Sequence, residues 1–132
     1  MKILVLYVED NHINRIIVKK LLDHRYEVHA VETPQEAIQL ATKNNYDVAL
    51  IDLNLNHPDV DGFGVLQELR KQPNLGDTIF IAHTNYFGED WKKKCLDAGF
   101  DYYFPKPFKL DVFESFLQDS SKFQEFKEES SS

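Results

Sequence analysis

Five polar side chains stand where apolar runs of the sequence end. Glu9 and Asp10 follow "ILVLYV" (3–8), and Asp52 follows "DVALI" (47–51). Thr84 comes two residues after "TIFIA" (78–82), and Lys106 sits between Pro105 and Pro107 just past "DYYF" (101–104). If these ends meet, three carboxylates, one hydroxyl and one ammonium share a small space. Two carboxylates about 4 Å apart repel by roughly 4 kcal/mol at an effective dielectric near 20. A hard divalent cation relieves that repulsion. Few carboxylates, a backbone carbonyl and waters suit Mg²⁺, which favours phosphate oxygens. A cation, a lysine and a hydroxyl around one carboxylate form a receptor for a phosphoryl group. Asp52 is then the candidate nucleophile, and its product is an acyl phosphate.

The elements that must position these groups are legible. The runs at 3–8, 47–51 and 78–82 are almost continuously apolar and rich in Val and Ile, as parallel strands covered on both faces are. "EVHAV" (27–31) alternates, as an edge strand does. Helical spacing fills the gaps. Ile13, Ile16, Ile17 and Leu21 recur in "NHINRIIVKKLLDH" (11–24) with Arg15, Lys19 and Lys20 elsewhere on the wheel. "TPQEAIQLATKNN" (33–45) opens with Thr33 as cap, Pro34 at the first helical position and Glu36 three after the cap. "FGVLQELRKQ" (63–72), "EDWKKKCLDAG" (89–99) and "KLDVFESFLQ" (109–118) carry apolar stripes, the second stopping at Gly99. Strand and helix therefore alternate five times, which predicts a three-layer α/β sandwich with right-handed crossovers. In such a sheet ligands bind outside the carboxyl ends of the strands.

Composition narrows the functions. The chain has 132 residues and a net charge of −7, so a nucleic-acid backbone is a poor partner. No apolar stretch approaches the ~20 residues of a membrane span, and "MKILVLYVED" has no cleavage site. Cys95 stands alone and forms no internal disulfide, so a cytoplasmic setting is expected. The final segment, 120–132, is rich in Ser and Glu and reads as a tail, a linker or an extension of the last helix.

Together "VEDN" (8–11), "ALIDLNL…DG" (49–62), "AHTN" (82–85) and "YYFPKPF" (102–108) resemble the receiver domain of two-component response regulators. The resemblance covers about residues 2–119. It implies a flavodoxin-like doubly wound sheet in strand order 2-1-3-4-5. It implies Asp52 as phospho-acceptor, fed by the phosphohistidine of a sensor histidine kinase or a histidine phosphotransfer protein. It implies Mg²⁺ held by Asp10 and Asp52, by Glu9 largely through water, and by the backbone carbonyl of Asn54. Thr84 would bond a phosphoryl oxygen, and Lys106, expected to precede a cis Pro107, would pair with the phosphate. Tyr103 would be the aromatic switch, turning inward as Thr84 is drawn to the phosphate. The face of the fourth helix, fifth strand and fifth helix would then change for a downstream partner, with homodimerisation on phosphorylation a further expectation. "VEDNHINRIIVKKLL" is similar to receivers attached to hybrid sensor kinases. No DNA-binding or catalytic domain is expected in the remaining residues, which leaves a stand-alone regulator and a receiver cut from a longer chain as the two expectations.

Three positions depart from the family pattern. Asp52 and the Asp61-Gly62 pair are two residues further apart than usual, with Pro58 expected to hold the turn. Asn85 replaces a small residue after Thr84 and is expected to narrow access. Tyr86 is expected to shield the phosphate from water.

Competing readings fare worse. Asp52, Asn54 and Asn56 open like a calcium loop, but His57 stands where Gly is required and Phe63 where the closing Glu is required. The histidines at 12, 24, 29, 57 and 83 lack zinc spacing. An aspartyl phosphatase on the same fold needs a second acid two residues after the nucleophile, where Asn54 stands. A receiver-shaped module that is never phosphorylated would not need the complete acid, threonine and lysine set.

Overall fold

The structure is a computed structural model that describes residues 2–55 and 61–120. Five strands and five helices alternate: β1 (Ile3–Val8), α1 (His12–Leu22), β2 (Tyr26–Val31), α2 (Pro34–Ala41), β3 (Val48–Asp52), α3 (Gly62–Arg70), β4 (Ile79–Thr84), α4 (Glu89–Ala98), β5 (Tyr102–Pro105) and α5 (Leu110–Asp119). A single 3₁₀ turn at Pro73–Leu75 precedes β4. All strand pairs are parallel and the order is β2-β1-β3-β4-β5, as expected.

Alternation along the strands builds two cores. Leu6, Val8, Ala49, Ile51, Phe80 and Ala82 face α2, α3 and α4, packing on Ala37, Val65, Leu69 and Cys95. Val5, Tyr7, Val48, Leu50, Ile79 and Ile81 face α1 and α5, packing on Val18, Leu22, Phe113 and Leu117. This two-sided burial is why the central strands read as continuous apolar runs.

Local signals set the helix ends. The Thr33 hydroxyl caps α2, accepting from the Glu36 amide and donating to its carboxylate. Gly99 closes α4 at φ +117°, a left-handed conformation that disfavours a side chain. The α2 helix is shorter than its apolar pattern. The Lys43 and Asn44 amides and the Asn44 side chain all bond the Leu40 carbonyl and end the helix there.

The first helix departs from expectation. Its stripe of Ile13, Ile16, Ile17 and Leu21 points to solvent, at 61%, 43%, 49% and 41% exposure. Only Val18 and Leu22 reach the core. The expected extension past Ser120 and the Pro58 turn lie outside the described residues.

Register fixes where the strands stop. Val8 pairs with Ile51, Asp52 with His83, and Thr84 with Pro105. The carboxyl ends of β1, β3, β4 and β5 are therefore level. Asp61 caps α3 by accepting from the Gly64 amide, and Gly62 opens it against β3. A Cβ at Gly62 would lie 2.4 Å from the Asp52 carbonyl oxygen and 2.5 Å from the Leu53 Cα. Both are backbone atoms of the strand end that carries Asp52, and neither can step aside alone. Gly62→Ala is expected to cost about 1–3 kcal/mol in urea unfolding, the usual range for overpacking. Unchanged stability would contradict this close approach.

Candidate active site

The level strand ends bring the polar groups together. Carboxylate oxygens of Glu9, Asp10 and Asp52 all lie within 4.8 Å of one another. Lys106 comes from the far side of the sheet. Its amide donates to the Thr84 carbonyl at 2.7 Å, and its peptide bond to Pro107 is cis. Its ammonium lies 2.7 Å from Glu9 Oε1 and 3.2 Å from Asp52 Oδ2. Glu9, Asp10, Asp52, Asn54 and Lys106 line one open pocket with Asn11, Asn14 and Asn85.

Glu9 is fully buried and heavily donated to. Besides Lys106, the Asn14 side chain reaches Oε1 at 3.2 Å, the Tyr7 hydroxyl reaches it at 3.4 Å, and the Asn11 amide reaches Oε2 at 3.4 Å. Arg15 bonds the Glu9 carbonyl at 2.7 Å. Burial pushes the Glu9 pKa up, but hydrogen bonds with Asp52 and Lys106 outweigh it, and the carboxyl titrates below its usual range. Asp52, 4% exposed, goes the other way. Burial raises it first, and the neighbouring Glu9 raises it further. The Asn54 amide bonds Asp52 Oδ1 at 3.0 Å and Lys106 attracts it, but both are too weak to reverse the shift. Burial lowers the Lys106 pKa, yet its bonds to Glu9 and Asp52 raise it on balance. Lys106 therefore stays charged, and three acidic side chains share one ammonium.

That imbalance fits a divalent cation. Its ligands would be oxygens of Asp10 and Asp52, with the Asn54 backbone at the pocket edge and Glu9 already occupied by protein donors. All-oxygen ligation beside an acidic pocket suits Mg²⁺ chemistry.

Two expected residues stand elsewhere. Thr84 is fully buried, and its hydroxyl accepts from the Tyr86 amide at 3.0 Å. It does not line the pocket. Tyr103 is half-buried, its hydroxyl donating to the Tyr86 carbonyl. The expectation that Tyr86 shields the pocket is not met. Its ring stacks on Trp91 at 4.3 Å, and Asn85 lines the pocket in its place. His83 is buried and neutral. Burial holds its pKa down to about 4, and Nδ1 sits 2.8 Å from the Phe104 carbonyl.

Tyr7, Asn11, Asn14 and Arg15 were not singled out from the sequence, although signals existed. Tyr7 is the one hydroxyl in an aliphatic strand and lies two residues before Glu9, on the same strand face. Asn14 stands in the first turn of the helix that begins just after Glu9.

The raised Asp52 pKa makes a stability statement. Ionising Asp52 costs nothing below its unfolded pKa near 4, and the cost is complete above its folded value near 7. With divalent metal chelated, Asp52→Asn should gain on the parent chain as pH rises from 4 to 7. The gain should grow steadily across that range as Asp52 ionises in the unfolded chain but not in the folded one. Urea titrations across that range check it, and parallel pH profiles for the two proteins would contradict the assignment.

Comparison with known proteins places the arrangement. The family profile of the response regulator receiver domain matches residues 5–118. The chain is 39% identical over 113 residues to hybrid signal transduction histidine kinase L of Dictyostelium discoideum, covering 80% of this chain but 6% of that protein. It is 34% identical over 108 residues to two-component response regulator ORR8 of Oryza sativa, covering 80% of this chain and 88% of that protein. Among solved structures, the receiver domain of sensor histidine kinase PA1611 from Pseudomonas aeruginosa superposes with a TM-score of 0.78 and 32% identity. It covers 89% of this chain and 96% of that one, and holds a magnesium ion coordinated in its active site cleft. The fold, the level strand ends and this family match agree: the chain belongs to the response regulator receiver domains of two-component signalling.

Proposed function

We propose that the chain is a phosphorylation-controlled switch that takes a phosphoryl group from a phosphohistidine onto Asp52. The observation that carries this reading is the Lys106 ammonium, 2.7 Å from Glu9 and 3.2 Å from Asp52 beside a third carboxylate. A structural ion pair needs one acid. A second and third acid at the same point need an incoming positive centre.

In the transfer, an Asp52 oxygen attacks phosphorus as the bond from phosphorus to the donor nitrogen breaks. The donor's imidazole leaves and the phosphoryl group stays on Asp52. A bound Mg²⁺ would neutralise the carboxylates and the phosphoryl oxygens. Glu9 holds the Lys106 ammonium at the pocket, so the lysine meets the developing charge without a search through rotamers. The Asn54 amide orients the Asp52 carboxylate, and Asn85 limits the width of the approach. Thr84 donates a hydrogen bond from its hydroxyl to a phosphoryl oxygen once the group is in place.

The donor is a protein, and the exposed α1 face is its dock. Asp52 is nearly buried, so a phosphohistidine must be pressed into the pocket. A neighbouring cleft of about 340 Å³ shares Asn14, Asn85 and Lys106 with that pocket. Its wall includes Ile17 of α1, Pro107 and Phe108. A donor seated over Asp52 therefore covers the outward isoleucines, which bury apolar area only in that encounter. Among the described residues no helix is long and apolar enough to cross a membrane. We read the working site as the cytoplasm, where histidine kinases present their phosphohistidine.

Two experiments test this. With Mg²⁺ and acetyl phosphate, intact mass should show one added phosphoryl group, absent in Asp52→Asn. Lys106→Ala should slow labelling by about 10²-fold, the usual loss for one transition-state donor. A rate unaffected by Lys106→Ala would contradict the mechanism. For docking, Ile16→Asp with Ile17→Asp should lower the rate from a histidine phosphotransfer protein relative to the rate from acetyl phosphate by about tenfold or more, because charge is forced into an apolar contact. An unchanged ratio would remove α1 from the interface.

A further inference from the structure

His83 is buried at the sheet edge, 2% exposed, and the transfer described above gives it no role. It pairs with Asp52 in the register of β3 and β4. Leu50 and Ile81, two residues earlier on each strand, both face α1 and α5. Asp52 and His83 therefore project to that same face. Neighbouring strands lie about 4.8 Å apart, so the imidazole stands beside the phosphoryl-accepting carboxylate.

Three contacts fix the ring. Its Nδ1 lies 2.8 Å from the Phe104 carbonyl. A carbonyl only accepts, so Nδ1 carries a proton. The Phe104 ring centre is 4.5 Å away, and that of Phe108 is 5.8 Å away at an interplanar angle of 87°. Burial keeps the imidazole neutral, which makes Nε2 a bare acceptor. Nε2 has no hydrogen-bond partner among the described residues. An acceptor in so buried a ring is costly to leave unpaired.

His83 lines the cleft of about 340 Å³ between α1 and the segment after β5. With Nδ1 turned to β5, Nε2 is the polar atom that His83 offers to this cleft. Ile17 and Phe108 give the cleft apolar walls, and Asn14, Asn85 and Lys106 are shared with the pocket of Asp52. A phosphoryl group brought to Asp52 therefore has its carrier beside the cleft.

We propose that this cleft seats the imidazole that carries the phosphoryl group, with the distal ring N–H of that imidazole donating to His83 Nε2. The assignment rests on the phosphoryl-accepting reading of Asp52 and adds the residue that selects the leaving group. A ring phosphorylated on one nitrogen leaves as neutral imidazole when its other nitrogen carries a proton. The bond from an Asp52 oxygen to phosphorus forms, the phosphorus–nitrogen bond breaks, and its electron pair stays on the departing ring. His83 accepts a hydrogen bond from the distal N–H throughout and takes no proton. An acceptor at that point favours the protonated donor, which is the better leaving group. Acetyl phosphate has no ring N–H and gains nothing from it.

The test compares phosphoimidazole with acetyl phosphate, each with Mg²⁺, by the rate of phosphoryl addition in intact mass. His83→Leu should lower the rate from phosphoimidazole relative to that from acetyl phosphate by about fivefold or more, as loss of one hydrogen bond does. His83→Gln, whose amide oxygen reaches the Nε2 position, should recover most of the ratio. Separately, ¹⁵N NMR follows the His83 ring in the unaltered chain. Imidazole should shift the Nε2 resonance, and 1-methylimidazole, which has no N–H, should not. That contrast decides the matter if His83→Leu does not fold. An unchanged ratio in His83→Leu would overturn the proposal. An equal fall in both rates would also overturn it, by leaving His83 a structural role alone. So would an Nε2 resonance that ignores imidazole or answers both compounds alike. No label from either donor in the unaltered chain would instead remove the Asp52 reading, and the leaving-group role with it.

Discussion

One ammonium between two buried carboxylates organises this molecule. Lys106 reaches Glu9 and Asp52 from β5, while the acids come from β1 and β3. Their meeting requires the strand ends to be level, and the parallel register makes them so. It also requires the chain after β5 to turn back over the sheet, where the Lys106 amide bonds the Thr84 carbonyl. The charges do not balance, since Asp10 adds a third acid. Burying unbalanced charge costs stability. The apolar strands on both faces provide the stability that the site consumes, and the site remains ready for a cation and a phosphoryl group.

The sheet separates two layers of helices. The α1 and α5 helices cover one face, and α2, α3 and α4 cover the other. On the α1 side four apolar side chains, Ile13, Ile16, Ile17 and Leu21, face solvent. Thr84 stands at the carboxyl end of β4, between β3 and the edge strand β5.

Much of this was legible in the sequence because two-sided burial leaves a strong mark. Runs such as "DVALI" have no polar face, so a charge at their end is conspicuous. The strand order and the convergence of Glu9, Asp10, Asp52 and Lys106 followed from that mark and from the family pattern. Other features were hidden because periodicity does not say which face a partner covers. The isoleucines of α1 have the spacing of a core stripe, yet the core needs only Val18 and Leu22 from that helix. Tyr86 and Trp91 are five residues apart across a helix start, a spacing that no simple rule pairs. Tyr7 and Asn14 matter only through Glu9, whose full burial is a tertiary fact.

The central claim is that the pocket directs a phosphoryl group to one carboxylate among three. Borohydride reduction of the phosphorylated chain converts an aspartyl phosphate to homoserine, and peptide mass spectrometry then locates it. The account predicts homoserine at position 52, with Asp10 and Glu9 intact. Homoserine at position 10, an altered Glu9, or a phosphoryl group on a hydroxyl or histidine would contradict it.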